Sequence, residues 1–403
     1  MNASASRHAF HYVPFRNLFF ARTLTVLGNS VAPVALAFAV LDMGGSAADL
    51  GIVVAARSLF NVVFLLFGGV LADRYSRNRV LLLSSAVAAL SQSGVAWLVL
   101  DGSATLNALA LLSAVNGAAA GIALPASSAL VPQTVPAQKL RQANAFIQSG
   151  VYAGTIVGAS LGGILTSAVG AGWGLAVDAL GFAIAAPLYF SVRTGVQLAG
   201  SQTTLWQDLR DGWREFTSRS WVWAVVAQFA VVNAAFTGMV MVLGPVIADD
   251  SFGRARWGMM IAAQSVGLIL GSWMALRWRP RRAMLAGVML VALCVLPILL
   301  LAEGAPAVWL MIAFCVAGIG FGQFGVVWAQ ALQTHIPRDR LARVYAYDAM
   351  GSFITIPLGE LAAGPLAMQF GSSAVLVTCA AAVLAATGAA CLVPSIRGLT
   401  QRE

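Results

Sequence analysis

Charge is the scarcest resource in this 403-residue chain: only 10% of it is Asp, Glu, Lys or Arg, against 59% hydrophobic residues. A soluble domain carries roughly 25% charged and about 45–50% apolar residues, so a water-exposed globule is excluded. Cysteine is scarce too. Cys294, Cys315, Cys379 and Cys391 all lie in apolar runs without a CxxC pair, which excludes a disulfide framework and a thiolate metal site and leaves apolar packing. The three histidines (His8, His11, His335) lack metal-ligand spacing, and no Walker lysine motif is present, so no metal is expected and ATP is not the direct driver. No nucleophile–base pair stands out, which speaks against an enzyme.

What is abundant is long apolar sequence. Runs cover about 18–41, 49–71, 80–100, 105–131, 143–168, 172–192, 221–247, 257–276, 283–302, 307–333, 344–369 and 373–394. Crossing a hydrocarbon core takes about 20 such residues as a helix. The expectation is an all-α polytopic membrane protein with twelve transmembrane helices. The first segment carries Arg7 and Arg16 and leads into a full-length span, so its retention is expected.

Of the 24 Lys and Arg, all but Arg57, Arg254 and Arg256 fall at the chain ends or in even-numbered loops. By the positive-inside rule both termini face the cytoplasm, in a cell inner membrane. The net charge of +9 then reflects orientation over anionic lipid and needs no nucleic acid.

The chain repeats itself. Val135-Pro136-Ala137-Gln138-Lys139-Leu140 returns as Ile336-Pro337-Arg338-Asp339-Arg340-Leu341, an offset of 201 (336 − 135), and Gly163 with Gly170 returns as Gly364 with Gly371 at the same offset. Six spans per half make the repeat parallel. The expected domains are residues 1–192, a cytoplasmic linker at 193–219 and residues 220–403. In the linker, Trp206, Leu209, Trp213 and Phe216 are spaced as one face of an amphipathic surface helix.

Between spans two and three the chain reads Gly69-Val70-Leu71-Ala72-Asp73-Arg74-Tyr75-Ser76-Arg77-Asn78-Arg79. This resembles the loop 2–3 signature of the major facilitator superfamily, with Ser76 in place of a glycine and the last basic residue displaced to Arg79. The resemblance implies two six-helix bundles that rock about a central site, with Asp73 latching the inner side against the start of span eleven. Asp348 there would answer Arg74, Arg77 or Arg79. Gly69 lets the end of span two approach a neighbour. The second-half copy ends with Leu276 where the acid would stand.

In span five, Gly154, Gly158, Gly162 and Gly163 resemble the GxxxGPxxGG motif of drug antiporters, with Ala159 at the proline position. Their expected partner face is Gly267 and Gly271 of span eight. LPASSALVPQTVP (124–136) and YAYDAMGSFITIPLGELAAGPLA (345–367) resemble the twelve-span efflux branch that includes macrolide efflux pumps and enterobactin exporters.

Span four lacks the arginine this superfamily uses in proton coupling, so the few intramembrane ionisable residues become candidates. Arg57 and Glu360 sit at similar depth on neighbouring spans and read as an ion pair, either a coupling switch or a fixed bridge. Asp178 is the third candidate, expected to bond backbone or hydroxyls. Spans one, four, seven and ten line the cavity in the superfamily. They offer Asn29, Asn116, Asn233 and Gln323 among apolar and aromatic residues including Phe236 and Trp328, a lining suited to amphiphilic ligands. Helix–helix hydrogen bonding is the competing role for each amide. Gly320 to Gly325 match GxGxxG inside an apolar span, which excludes a dinucleotide loop.

The reading is a monomeric secondary transporter that exports amphiphilic small molecules in exchange for protons, without a bound cofactor. A nutrient importer or facilitator of the same fold, and a non-transporting membrane sensor, are the alternatives.

Overall fold

The computed structural model describes residues 9–192, 213–278 and 280–399. Among them there is no strand, and twelve helices are long and apolar enough to cross a membrane. They are α1 Val13–Asp42, α2 Ala47–Arg74, α3 Arg77–Asp101, α4 Leu106–Leu130, α5 Leu140–Ala168 and α6 Ala171–Ser191. Next come α7 Ser220–Asp250, α8 Arg254–Arg277, α9 Ala283–Ala302 and α10 Ala307–His335. The eleventh span, α11, comes in two pieces, Arg338–Phe353 and Ile356–Phe370, followed by α12, Ser372–Leu392. The linker helix expected from Trp206 and Leu209 lies outside the described residues.

Local chemistry accounts for the ends. Ser46 caps α2 in a reciprocal box: its Oγ accepts from the Asp49 amide at 3.3 Å, and Asp49 Oδ2 accepts from the Ser46 amide at 2.8 Å. Gly102 ends α3 in the left-handed region at φ 73°. Three later spans are interrupted just ahead of a proline. Residues 239–243 form a wider turn before Pro245, 292–294 a tighter one before Pro297, and 354–355 a break before Pro357. Each proline lacks the N–H that the carbonyl four residues earlier would accept.

The chain divides into two compact units. The first holds α1–α6 and the opening turn of α8, residues Gly253–Gly258; the second holds the remainder. In the first, α1 packs on α5 and α6, α2 on α4, and α3 on α4 and α6. In the second, α7 packs on α12 and the second piece of α11, and α9 on α10 and α12.

Glycines set the closest approaches. A Cβ at Gly68 of α2 would stand 2.8 Å from the Cα of Ile122 on α4, and one at Gly271 of α8 would stand 2.8 Å from the Cα of Ile319 on α10. Gly121 abuts the carbonyl of Asn61 just as Gly318 abuts that of Gln264. The α2–α4 contact is thus rebuilt as α8–α10, with offsets of 203 (271 − 68) on one helix and 197 (319 − 122) on the other. The same packing accounts for the GxGxxG run: Gly320 abuts Leu290 and Gly322 abuts Leu268.

Span five departs from expectation. Gly154, Gly158 and Gly162 face α1, at the carbonyls of Thr23, Leu27 and Val31, while Gly267 and Gly271 serve α10. Gly163 alone turns to α8, where a Cβ would stand 2.9 Å from the Arg254 carbonyl. The spacing of small residues marks a close-packing face but carries no label for its partner.

Candidate functional site

Helices of the first unit line a half-open cavity of about 370 Å³. Helical spacing builds it: Arg22, Thr25 and Asn29 occupy one face of α1, Arg57 and Asn61 one face of α2. Ser84 and Ser85 of α3, Ser127 of α4 and Tyr189 of α6 add hydroxyls, and Phe182 with alanine, leucine and valine side chains fills the rest. No Asp or Glu among the described residues lines it.

Arg57 is the best-fixed group here. Its Nη2 donates to Asn29 Oδ1 at 2.7 Å and its Nε to Asn116 Oδ1 at 3.2 Å. Gly117 makes this possible, because α4 meets α2 at the Arg57 carbonyl and a Cβ there would collide with it. Asp178 on α6 is 1% exposed and within electrostatic reach of Arg57. Gly28 on α1 leaves the room for its carboxylate. Neither carboxylate oxygen of Asp178 has a hydrogen-bond partner, so the expected bonding to backbone or hydroxyls is corrected. An acid, a guanidinium and two amides, contributed by α6, α2, α1 and α4, therefore meet inside apolar walls.

The expected partner of Arg57 was Glu360. Within the first unit, Arg57 donates its hydrogen bonds to the two amide oxygens, which the sequence reading set apart as cavity lining. Glu360 is buried in the second unit, 2% exposed. Asn233, also in that unit, donates to the Ser352 carbonyl at 2.8 Å, and Thr355 Oγ1 donates to the Ala230 carbonyl at 2.7 Å. Together they stitch the break in α11 to α7. Gln323 is fully buried, and neither its Oε1 nor its Nε2 has a hydrogen-bond partner.

Phe236 and Trp328 are packed rings. Phe236 lies 5.3 Å from Phe321, and Trp328 lies 5.9 Å from Phe324 and 5.5 Å from Trp221. Trp328 Nε1 donates to Asp348 Oδ2 at 2.9 Å, a partner the latch reading did not foresee. In the latch segment Arg74 and Arg79 are exposed and Arg77 half-buried, whereas the side chain of Asp73 lies outside the described residues.

Two features escaped the sequence reading. Arg22 was counted with the basic amino end, yet its spacing with Thr25 and Asn29 places it on the cavity face. Arg254 was set aside as an outer-loop charge, yet it forms a two-pronged bridge to Asp42, with Nη1 at 2.9 Å from Oδ2. The same guanidinium lies 4.8 Å from the ring centre of Phe38.

Twelve apolar helices long enough to cross a membrane, with a largely apolar cavity inside one unit, describe a multi-pass helical membrane protein. The sequence model of the Major Facilitator Superfamily matches residues 18–359. The chain belongs to that superfamily. Among its relatives, the multidrug efflux pump Tap of Mycolicibacterium fortuitum is 26% identical over 96% of this chain and 97% of its own. The enterobactin exporter EntS of Escherichia coli O1:K1 / APEC is 25% identical over 86% of this chain and 85% of its own. A crystal structure of a bacterial homolog to the human lysosomal transporter Spinster shares the fold, with a TM-score of 0.74 at 16% identity over 97% of this chain and 98% of that one.

Proposed function

We propose that this transporter exports amphiphilic small molecules from the cytoplasm by alternating access, driven by proton antiport. The observation that carries the reading is likeness along most of the chain to proteins named as a multidrug efflux pump and an enterobactin exporter. The apolar composition, with few charges in the spans, supports amphiphilic cargo over sugars or phosphates. The distribution of arginine supports an inner-membrane orientation with both termini cytoplasmic, and the absence of a recognisable catalytic constellation supports a transporter that is not an enzyme.

For coupling, Asp178 is the first choice. A carboxylate held away from water beside a single guanidinium can exchange a proton when that guanidinium shifts, and an unbonded acid in a membrane interior is costly to keep without a use. Glu360 is the second. Asp73, with Arg74, Arg77, Arg79 and Asp348, serves as the inner latch.

The test is transport itself. Purified protein in proteoliposomes, given an imposed pH gradient and a panel of amphiphilic dyes, should move dye away from the cytoplasmic face against its gradient. Dye accumulating on the cytoplasmic face would refute export. Movement indifferent to the proton gradient would refute antiport.

A further inference from the structure

The two arginines of the first-unit cavity are not equivalent. Arg57 is occupied by Asn29 and Asn116 and has Asp178 as counter-charge. Arg22 lies on the same face of α1 as Asn29, seven residues away, about 10 Å along the helix. It is half-buried and lines the cavity. Its electrostatic neighbour is the Tyr189 hydroxyl. Among the described residues no carboxylate lines the cavity beside it.

Arg22 stands about nine residues inside α1, some 14 Å along its axis, where a cation next to an apolar span is costly to hold. An arginine that only anchored the chain could reach back toward the lipid headgroups. This one turns into a cavity instead, where Ser84, Ser85 and Ser127 supply further hydroxyls. A volume of about 370 Å³ is within the range of small-molecule sites, which are roughly 300–1,000 Å³, apolar, with a few convergent polar groups.

We propose that this cavity binds an organic anion, an apolar body carrying a carboxylate or sulfonate, with Arg22 as the group that pairs the anion. The planar guanidinium fork matches such oxyanions in two-point contact. The alanine, leucine and valine wall receives the body. This deepens the export reading and rests on it for direction only: an inside-negative membrane potential favours the exit of an anion.

The experiment compares two probes of one shape, 2-naphthalenesulfonate and 2-naphthalenemethanol, by calorimetric titration of the full-length protein in phosphatidylcholine nanodiscs. The wild type should bind the sulfonate at least tenfold more tightly. Arg22→Gln should abolish that preference while leaving the neutral probe unchanged, and Arg22→Lys should restore part of it. Equal affinities in the wild type, or a preference that survives Arg22→Gln, would overturn the proposal. Should Arg22→Gln fail to fold, salt decides: raising it must weaken only the sulfonate, and an unchanged sulfonate affinity overturns the site. Binding needs no gradient, so a charge preference without transport would sink the export reading alone, and transport without the preference would sink this one.

Discussion

Replacing Arg57 with Leu should be among the most damaging single changes in the first unit. The guanidinium makes two hydrogen bonds, at 2.7 and 3.2 Å, to Asn29 and Asn116. Hydrogen bonds to charged groups contribute roughly 1.5–3 kcal/mol each. Its loss also strands Asp178, 1% exposed and without a hydrogen bond of its own. Removing one partner of a buried pair costs about 3–5 kcal/mol. The two costs overlap, because both describe the same network losing its centre, so the expected total is about 3–5 kcal/mol. Asp178→Asn in the Arg57→Leu background removes the stranded charge and should recover part of that loss. Equilibrium unfolding in mixed micelles, followed by tryptophan fluorescence, gives the four corners of the cycle. The double variant should be more stable than the sum of the singles by at least about 1 kcal/mol. Additivity within about 0.5 kcal/mol, as for distant residues, would refute the coupling of the two charges.

Further outcomes follow from the same geometry. Gly117→Ala forces a methyl against the Arg57 carbonyl and should lower stability by about 1–3 kcal/mol, whereas Gly325→Ala, which meets nothing within 4 Å, should be neutral or gain up to about 1 kcal/mol; equal unfolding midpoints for the two would contradict the close approach of α2 and α4. Asp73→Asn should leave folding intact and cut dye transport at least tenfold, and unchanged turnover would remove the latch. In proteoliposomes Asp178→Asn should uncouple dye movement from the proton gradient while Glu360→Gln should not, and the reverse result would hand the coupling role to Glu360.

The scaffold was readable from sequence because it is written in quantities that add over many residues. Twelve apolar runs correspond to the twelve helices. Two short matches at an offset of 201 revealed a duplication that recurs in the packing at Gly68 and Gly271. The cavity was less legible, for a physical reason. Which helix a polar residue meets depends on rotation about the helix axis, and the sequence supplies only depth. Arg57 and Glu360 were matched by counting residues along their spans, while Asp178 was kept apart although α6 brings it within electrostatic reach of the same guanidinium. The glycines of span five failed the same way, since small-residue spacing identifies a face without its partner. Arg22 was missed through its count with the basic amino end, although its spacing to Thr25 and Asn29 was available.

The packing is duplicated; the charge is not. The offset of 203 on α2 and α8 carries Arg57 to Met260, and the offset of 197 on α4 and α10 carries Asn116 to Ala313. The Gly163-to-Gly364 offset of 201 carries Asp178 to Cys379. Met260 is fully buried and Ala313 is 4% exposed. Where the first unit keeps an acid, a guanidinium and an amide, the second keeps apolar or weakly polar side chains on the same framework. Stability cannot be the reason for the difference, because the second unit makes the same close helix contacts without the charges. Buried ion pairs are in general no more stabilising than well-packed apolar replacements. A costly cluster held in only one of two equivalent frameworks therefore points to use rather than support. On the proposed function, the proton-handling step is therefore assigned to the first unit. It also requires that Met260→Arg with Cys379→Asp, which would rebuild the pair in the second unit, add no proton coupling to an Asp178→Asn protein, because Asn116 has no counterpart at Ala313 to hold the guanidinium. Restored coupling in that triple variant, measured as dye movement that again follows the pH gradient, would show that the pair suffices in either unit.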